Sequence, residues 1–314
     1  GYIRKKHDNV VLAQQKEEIL TQKEEIESQR DEIAGQKHII EEKNKAVTDS
    51  IRYALRIQSA LLPSKDLFNQ VFPDHFILYK PRDIVSGDFY WIGRHNKELG
   101  FAVADCTGHG VPGAFMSMLG MAALHEVVRN RGLRSAAGIL DGLREYVIQA
   151  LRQRGLISAD GKSLVAAQGQ MKDGMDIVLC VLDKSSKKLV YSGGNNPCWI
   201  YSADYNPENE KGFTELKPDK MPIGIHSHLE PFSETEYQLK GGEYIYLMTD
   251  GFEDQFGGPK GKKYMSKRLK AFIGKGIHLS MKDQQHRLNT EFDTWRGGEE
   301  QVDDVTLMGV RIDV

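Results

Sequence analysis

Cysteine is scarce: Cys106, Cys180 and Cys198 are odd in number and lack metal-ligand spacing, which argues against a disulfide framework and for a reducing compartment. A dominant charge of one sign is also missing. The net charge of −2 gives no electrostatic case for nucleic acid as a partner. No apolar run reaches the length of a membrane span. The 314 residues of the chain, 40% hydrophobic, suffice for one large domain with a sizeable core plus an extension. The opening Gly1-Tyr2-Ile3-Arg4-Lys5-Lys6 reads either as the basic cytoplasmic flank of a membrane span further upstream or as an ordinary chain boundary. A cytoplasmic location is expected, free or as the cytoplasmic part of a membrane-anchored protein.

What the chain does have is a set of acidic turns. Phe101-Ala102-Val103-Ala104-Asp105-Cys106-Thr107-Gly108-His109-Gly110-Val111-Pro112-Gly113-Ala114 reads as strand, acidic glycine-rich turn and helix. A carboxylate at the end of a buried strand needs a positive neighbour. In such a loop that neighbour is a cation or a phosphate-bearing ligand, unless the Asp merely caps the next helix. Three further segments repeat the pattern: Ser86-Gly87-Asp88-Phe89-Tyr90, Tyr246-Leu247-Met248-Thr249-Asp250-Gly251 and Gln301-Val302-Asp303-Asp304-Val305-Thr306-Leu307. Carboxylates without a His or Cys pattern suit hard cations such as Mg²⁺ or Mn²⁺ rather than zinc.

In this order the motifs Ser-Gly-Asp-Phe-Tyr, Ala-Asp-x-x-Gly-His-Gly-Val-Pro, Thr-Asp-Gly-Phe-x-Asp and Asp-Asp-Val-Thr-Leu resemble the metal-dependent (PPM-type) serine/threonine phosphatases. The resemblance is to their bacterial branch, typified by the stage II sporulation protein E phosphatase and the general-stress regulator phosphatases, and it covers about residues 50 to 314. It implies a phosphoserine/phosphothreonine protein phosphatase working through two Mn²⁺ or Mg²⁺ ions that activate a water, with no phosphoenzyme. Carried over by motif, Asp105 bridges the two metals, with the Cys106 carbonyl as an extra ligand. Asp88 serves one ion, and Asp250 with Asp303 the other; Asp88 and Asp105 are thereby the catalytic carboxylates. Asp304 supports Asp303 or shapes its turn. Asp254 is the candidate for a third, weaker ion, with a plain surface acid as its alternative; Asp173 and Asp176 are weaker candidates still. Lys80 and Arg82 precede Asp88 closely enough to meet a phosphate, but each reads first as a solvated charge; Arg82 is the better candidate of the two. His109 is read as a structural histidine in the turn rather than an acid for the leaving group. Trp91 and Asn195 stand where many relatives carry an acid and a His.

Upstream, Leu12, Ile19, Ile26, Ile33, Ile40 and Val47 recur every seventh residue, with Gln15, Gln22, Gln29 and Gln36 at the second core position among flanking Lys and Glu. This predicts a left-handed coiled coil and hence a homodimer, with a weak seam because glutamine gives up apolar burial. The phase continues through Ile51, Leu55, Gln58 and Leu62 until Pro63. The expected organisation is a coiled-coil signalling helix over 1–48, a junction helix over 49–64 and a phosphatase domain over 65–314.

Within the domain, strands are predicted at Phe76 to Tyr79, Asp88 to Gly93, Phe101 to Ala104, Ile177 to Leu182, Lys188 to Tyr191, Trp199 to Tyr201, Met221 to Ile225, Tyr237 to Leu239 and Val305 to Ile312. Helices are predicted at Gly113 to Arg129, Ala136 to Arg154, Ser266 to Ile273 and Ser280 to Trp295, with a mobile loop over 155–175. Hairpin-spaced strands with helices in blocks suggest an α+β, four-layer α-β-β-α sandwich of two stacked antiparallel sheets, the fold that the resemblance implies. The resembled systems act on a small STAS-type anti-sigma-factor antagonist and are governed by upstream sensor modules. Two other readings are a non-catalytic coiled-coil module that keeps the fold for partner binding and a dimetal nuclease. Retention of all four acidic motifs disfavours the first. The lack of a basic, aromatic-rich stripe disfavours the second.

Overall fold

The computed structural model describes residues 2–151, 155–157, 164–166, 173–226 and 229–313, which divide into two compact units, Gly1–Tyr53 and Ala54–Val314. The first unit is helical throughout. It belongs to α1 (Tyr2–Leu61), whose last turns from Ala54 onward are part of the second unit. Leu12, Ile19, Ile26, Ile33, Ile40 and Val47 are each between 57% and 66% exposed, so the heptad stripe is uncovered on the single chain. Surface pairs such as Lys23–Glu27 and Lys37–Glu41 support the helix itself.

The second unit continues with α2 (Lys65–Val71), β1 (His75–Lys80), β2 (Phe89–His95), β3 (Glu98–Cys106), α3 (Gly110–Arg131) and α4 (Ala136–Ala150). Next come β4 (Gly155–Ile157), β5 (Leu164–Ala166), β6 (Met175–Asp183), β7 (Lys188–Gly194), β8 (Cys198–Asn206), β9 (Lys211–Leu216), β10 (Thr235–Gln238) and β11 (Glu243–Met248). It ends with α5 (Gly251–Asp254), β12 (Phe256–Gly257), β13 (Lys262–Lys263), α6 (Ser266–Lys275), α7 (Met281–Arg296) and β14 (Val305–Ile312). Two five-stranded antiparallel sheets carry the fold, in the orders β1-β14-β11-β8-β9 and β10-β7-β6-β3-β2.

Side-chain alternation along β3 shows how the layers form. Phe101 and Val103 point between the sheets, where they meet Val178, Ile245, Leu247 and Met308. Ala102 and Ala104 point the other way, and their small size admits the α3 and α4 residues Met121, Leu124, Ile139 and Leu143. A third cluster packs α6 and α7 on the outer face of the other sheet through Phe76, Trp199, Tyr246, Leu288 and Phe292. The result is the expected α-β-β-α sandwich.

Several segments differ from expectation. Helix α3 starts at Gly110 rather than Gly113, which leaves Pro112 inside the first turn, where its missing N–H costs nothing. By length and composition α3 could cross a membrane, but Gly113, Ala114, Ser117, Gly120, Met121 and Leu124 are buried within the protein. Met221 to Ile225 is not a strand: it touches β6 only through a bridge from Ile223 to Met175, because Pro222 and Gly224 interrupt a ladder. Strand β9 and the short helices α2 and α5 were not anticipated. Of the loop expected over 155–175, Gly155–Ile157 pairs with Leu164–Ala166, Asp173 and Gly174 lead into β6, and the rest lies outside the described residues. So do residues 152–154 of the longer α4 that was expected.

Phe101 has no exposed surface and edges onto Phe72 at 5.0 Å. Phe101→Ala is expected to lower stability by about 3–5 kcal/mol, read as a shifted urea midpoint with unchanged slope.

Candidate active site

Four separated segments bring their acids to one rim of the sandwich. Asp105 is the penultimate residue of β3, opposite Asp176 at the start of β6. Asp88 ends the loop before β2, Asp250 sits at the N-cap of α5, and Asp303 precedes β14. A cavity of about 240 Å³ is lined by Asp105, Cys106, Thr107, His109, Asp176 and Asp303. Asp250 reaches the same cluster, since its charge is among those that raise the Asp105 pKa.

The loops are packed by glycine and hung on Asp304. The Asp304 carboxylate accepts from the Arg82 and Gly87 amides, each at 2.7 Å, and is buried. Both its oxygens are thus engaged in shaping the turn, while Asp303 is left at the cavity. A Cβ on Gly87 would come within 2.6 Å of the Gly108 carbonyl oxygen, and one on Gly113 would strike the same atom. Gly251 has no room for a Cβ against the Asp304 carbonyl. Gly108 and Gly110 adopt φ of +86° and +64°, which a side chain rarely tolerates. The glycines therefore serve close loop packing around the acids.

Asp88 is 1% exposed. One of its oxygens accepts from the Thr249 hydroxyl at 2.7 Å, and its backbone carbonyl accepts from the Tyr79 hydroxyl at 3.2 Å. Its Oδ1 is buried with no partner. Burial, followed by the charges of Asp304 and Asp303, raises the Asp88 pKa well above the carboxylate range. Burial and then the charges of Asp88, Asp250 and Asp303 push Asp105 up to about 10. Burial and Asp254 move Asp250 to about 6, and burial raises Asp303 as well. A buried Asp88 with an unpartnered oxygen, beside the half-buried Asp105 and Asp303 and the more exposed Asp250, makes an all-oxygen donor set that fits hard divalent cations. Among the described residues, no three His, Cys, Asp or Glu side chains already stand in coordinating geometry.

The other candidates fall out as follows. The Cys106 thiol is buried and its pKa is pushed well up by that burial, so it is no nucleophile. Arg82 lies beside the Asp303 turn and donates from Nη1 to the Val302 carbonyl at 2.8 Å. Lys80 is not at the site: it is bound to Asp293 and Asn289 of α7, because its place on β1 turns it to that face. Asp254 is paired with Lys263 at 2.7 Å. His109 joins Asp83 through Nδ1 at 2.8 Å at the cavity mouth. Trp91 is buried and donates to His125, and Asn195 donates to Asp176 at 2.8 Å. Asp173 has interactions of its own just before β6.

Sequence reasoning missed Gln58. It is 1% exposed near the end of α1; its Nε2 donates to the Ser86 carbonyl at 2.6 Å and to Ser117 Oγ at 2.7 Å. Its Oε1 accepts from the Ser86 amide at 3.2 Å. The one available signal was a polar residue on the widening apolar face of the helix.

The sequence model of the family Stage II sporulation protein E (SpoIIE) matches residues 95–313. The chain belongs to this family. It is a PP2C-type serine/threonine phosphatase domain preceded by a long helix. Among solved structures it is similar to the SiaA PP2C domain of Pseudomonas aeruginosa, at 31% identity and a TM-score of 0.72 over 86% of this chain and 98% of that one. The fold is shared with the PP2C phosphatase domain and regulatory-domain fragment of SpoIIE from Bacillus subtilis (18% identity, TM-score 0.55, 76% of this chain and 61% of that one). It is shared also with the RsbU and RsbW domains of Rv1364c from Mycobacterium tuberculosis (20%, 0.53, 77% and 61%). No curated protein sequence matches the chain.

The raised carboxylates give a SpoIIE-family domain a pH signature. The folded metal-free chain keeps protons that the unfolded chain releases above about pH 4, so what these acids cost in stability is nil at low pH and grows as pH rises towards the folded value of about 10 for Asp105. Its Tm should fall between pH 5 and pH 8, and added Mn²⁺ should raise Tm more at pH 8 than at pH 5. Calorimetry in the two buffers checks both; an equal Mn²⁺ effect would mean that the acids do not take the cation.

Proposed function

We propose that the chain hydrolyses phosphoserine and phosphothreonine in a protein substrate in a reaction that depends on two Mn²⁺ or Mg²⁺ ions. The observation that carries this is the crowding of Asp88, Asp105, Asp250 and Asp303 with a buried, unpartnered Asp88 oxygen. When bound, such ions neutralise phosphate charge and acidify the attacking water. Asp88 and Asp105 would hold one ion, and Asp105, Asp250 and Asp303 the other, with the Cys106 carbonyl adjoining. Thr249 holds the Asp88 carboxylate in place, and Asp304 fixes the loops that carry Arg82 and Gly87. Arg82 stands near enough to Asp303 for its charge to be felt there, which supports a role in receiving a phosphate oxygen. A STAS-type phosphoprotein is the substrate class we infer, on family grounds.

Phosphate release from a phosphoserine peptide should require Mn²⁺ and fall by at least about 100-fold in Asp105→Asn, since loss of even an outer partner of a metal ligand costs 10–100-fold. Metal-independent turnover, or full activity in the variant, would overturn the assignment.

We also infer that the N-terminal helix pairs with a second copy and regulates the domain. The exposed heptad stripe supports pairing, and the three Gln58 hydrogen bonds to Ser86 and Ser117 support a link between α1 and the Asp88 loop. Sedimentation should give a dimer that dissociates in Ile26→Glu/Ile33→Glu. Gln58→Ala should weaken Mn²⁺ affinity by about 10–100-fold while leaving the dimer intact; an unaltered metal titration would sever the proposed link.

A further inference from the structure

Strand β1 closes its sheet at one side and bonds only to β14. The Ile77 carbonyl accepts from Gln285 Nε2 at 2.7 Å, so the backbone at Ile77 faces away from β14. In an antiparallel ladder the residues two places either side, His75 and Tyr79, face the same way. Exposed strand edges of this kind are templates for pairing and are normally covered. Among the described residues, the one hydrogen bond to this side of the strand comes from Gln285.

Along that edge runs a groove of about 530 Å³ between α2 and α7, flanked by Lys65, Phe68, Tyr90, Lys282 and Gln285. Its aromatic residues stack in series: His75 on Phe68 at 5.3 Å, Phe68 against Tyr90 at 5.8 Å, and Tyr90 against Tyr79 at 5.5 Å. Among the described residues, no acidic side chain lines the groove. Lys80 is neutralised by Asp293, whereas Lys65 and Lys282 are exposed and have no ion-pair partner among the described residues. These two cations, on the helices at either side of an open strand edge, set the charge of what fits between them.

We propose that this groove binds an extended, acidic peptide segment of a partner protein as an added strand on β1. Main-chain bonds to His75, Ile77 and Tyr79 give the binding its mode, with the peptide replacing Gln285 at the Ile77 carbonyl. Successive peptide side chains alternate between the aromatic floor and the rim, where carboxylates meet Lys65 and Lys282. The Tyr79 hydroxyl also bonds the Asp88 carbonyl, so the groove adjoins a candidate ligand loop. The proposal stands whether or not the metal assignment does.

The test uses the whole chain. Random peptides displayed on phage are panned against it, and the best synthetic peptide is titrated by fluorescence anisotropy against wild type and Lys65→Glu/Lys282→Glu. The expected result is an acidic consensus, affinity at least about tenfold weaker in the double variant, and slowed amide exchange at Ile77 and Tyr79 on binding. Hydrolysis of p-nitrophenyl phosphate without peptide should match wild type, which separates loss of docking from loss of the catalytic site. Selected peptides without acidic bias, undiminished binding in the variant, or protection away from β1 would each overturn the proposal. So would a variant whose only change is in self-association, since the groove would then join copies of the chain.

Discussion

Mutual repulsion among carboxylates at one rim of the sandwich is the constraint on which the rest of this domain depends. The fold brings the end of β3, the loop before β2, the turn after β11 and the turn before β14 to the same place, and each carries an Asp there. Burial raises the free energy of every one of those charges, and each charge raises that of the others. Without a cation these acids hold protons more tightly than free carboxylates do: Asp105 is pushed up to about 10 and Asp250 to about 6. The folding energy that holds them together comes from elsewhere, chiefly the three apolar layers built on β3, β11 and β14.

Close loop packing lets the repulsion be sustained. Asp304 is the acid that does not need a cation: its two oxygens take the backbone amides of Arg82 and Gly87, a charge-assisted arrangement that satisfies it while drawing two remote segments together. Gly87, Gly113 and Gly251 then allow contacts between backbones that any side chain would block. Adjacent acids so acquire opposite roles: one is satisfied by the fold, the other left open at the cavity.

This division of labour was partly legible in the sequence. Asp88, Asp105, Asp250 and Asp303 each sit in a local strand-turn signature, and local signatures survive in a linear reading. Assigning Asp304 to the turn was an open choice until its partners, more than two hundred residues away, were in view. The direction of Lys80 was hidden for the same reason: alternation along β1 decides it, and the Asp293 that captures it lies on α7. The strand expected at Met221 to Ile225 failed through a local cause, since apolar periodicity was given more weight than Pro222 and Gly224. Gln58 left almost no trace, as a lone polar residue on a helix face is common and its partners are Ser86 and Ser117.

Gln58 nevertheless shows how a helix with a weak apolar stripe can matter to a distant carboxylate. A buried glutamine cannot drift from its partners without leaving the Ser86 backbone groups and its own amide unsatisfied, a loss larger than the worth of any one of those bonds. The Asp88 amide donates to the Ser86 hydroxyl, so displacement of Ser86 reaches the Asp88 loop directly. An apolar residue in the same position would slide at little cost and transmit little. The polar plug makes the end of α1 and the loop of Asp88 move as one or separate at a penalty, the two-state behaviour that regulation of the acids would need.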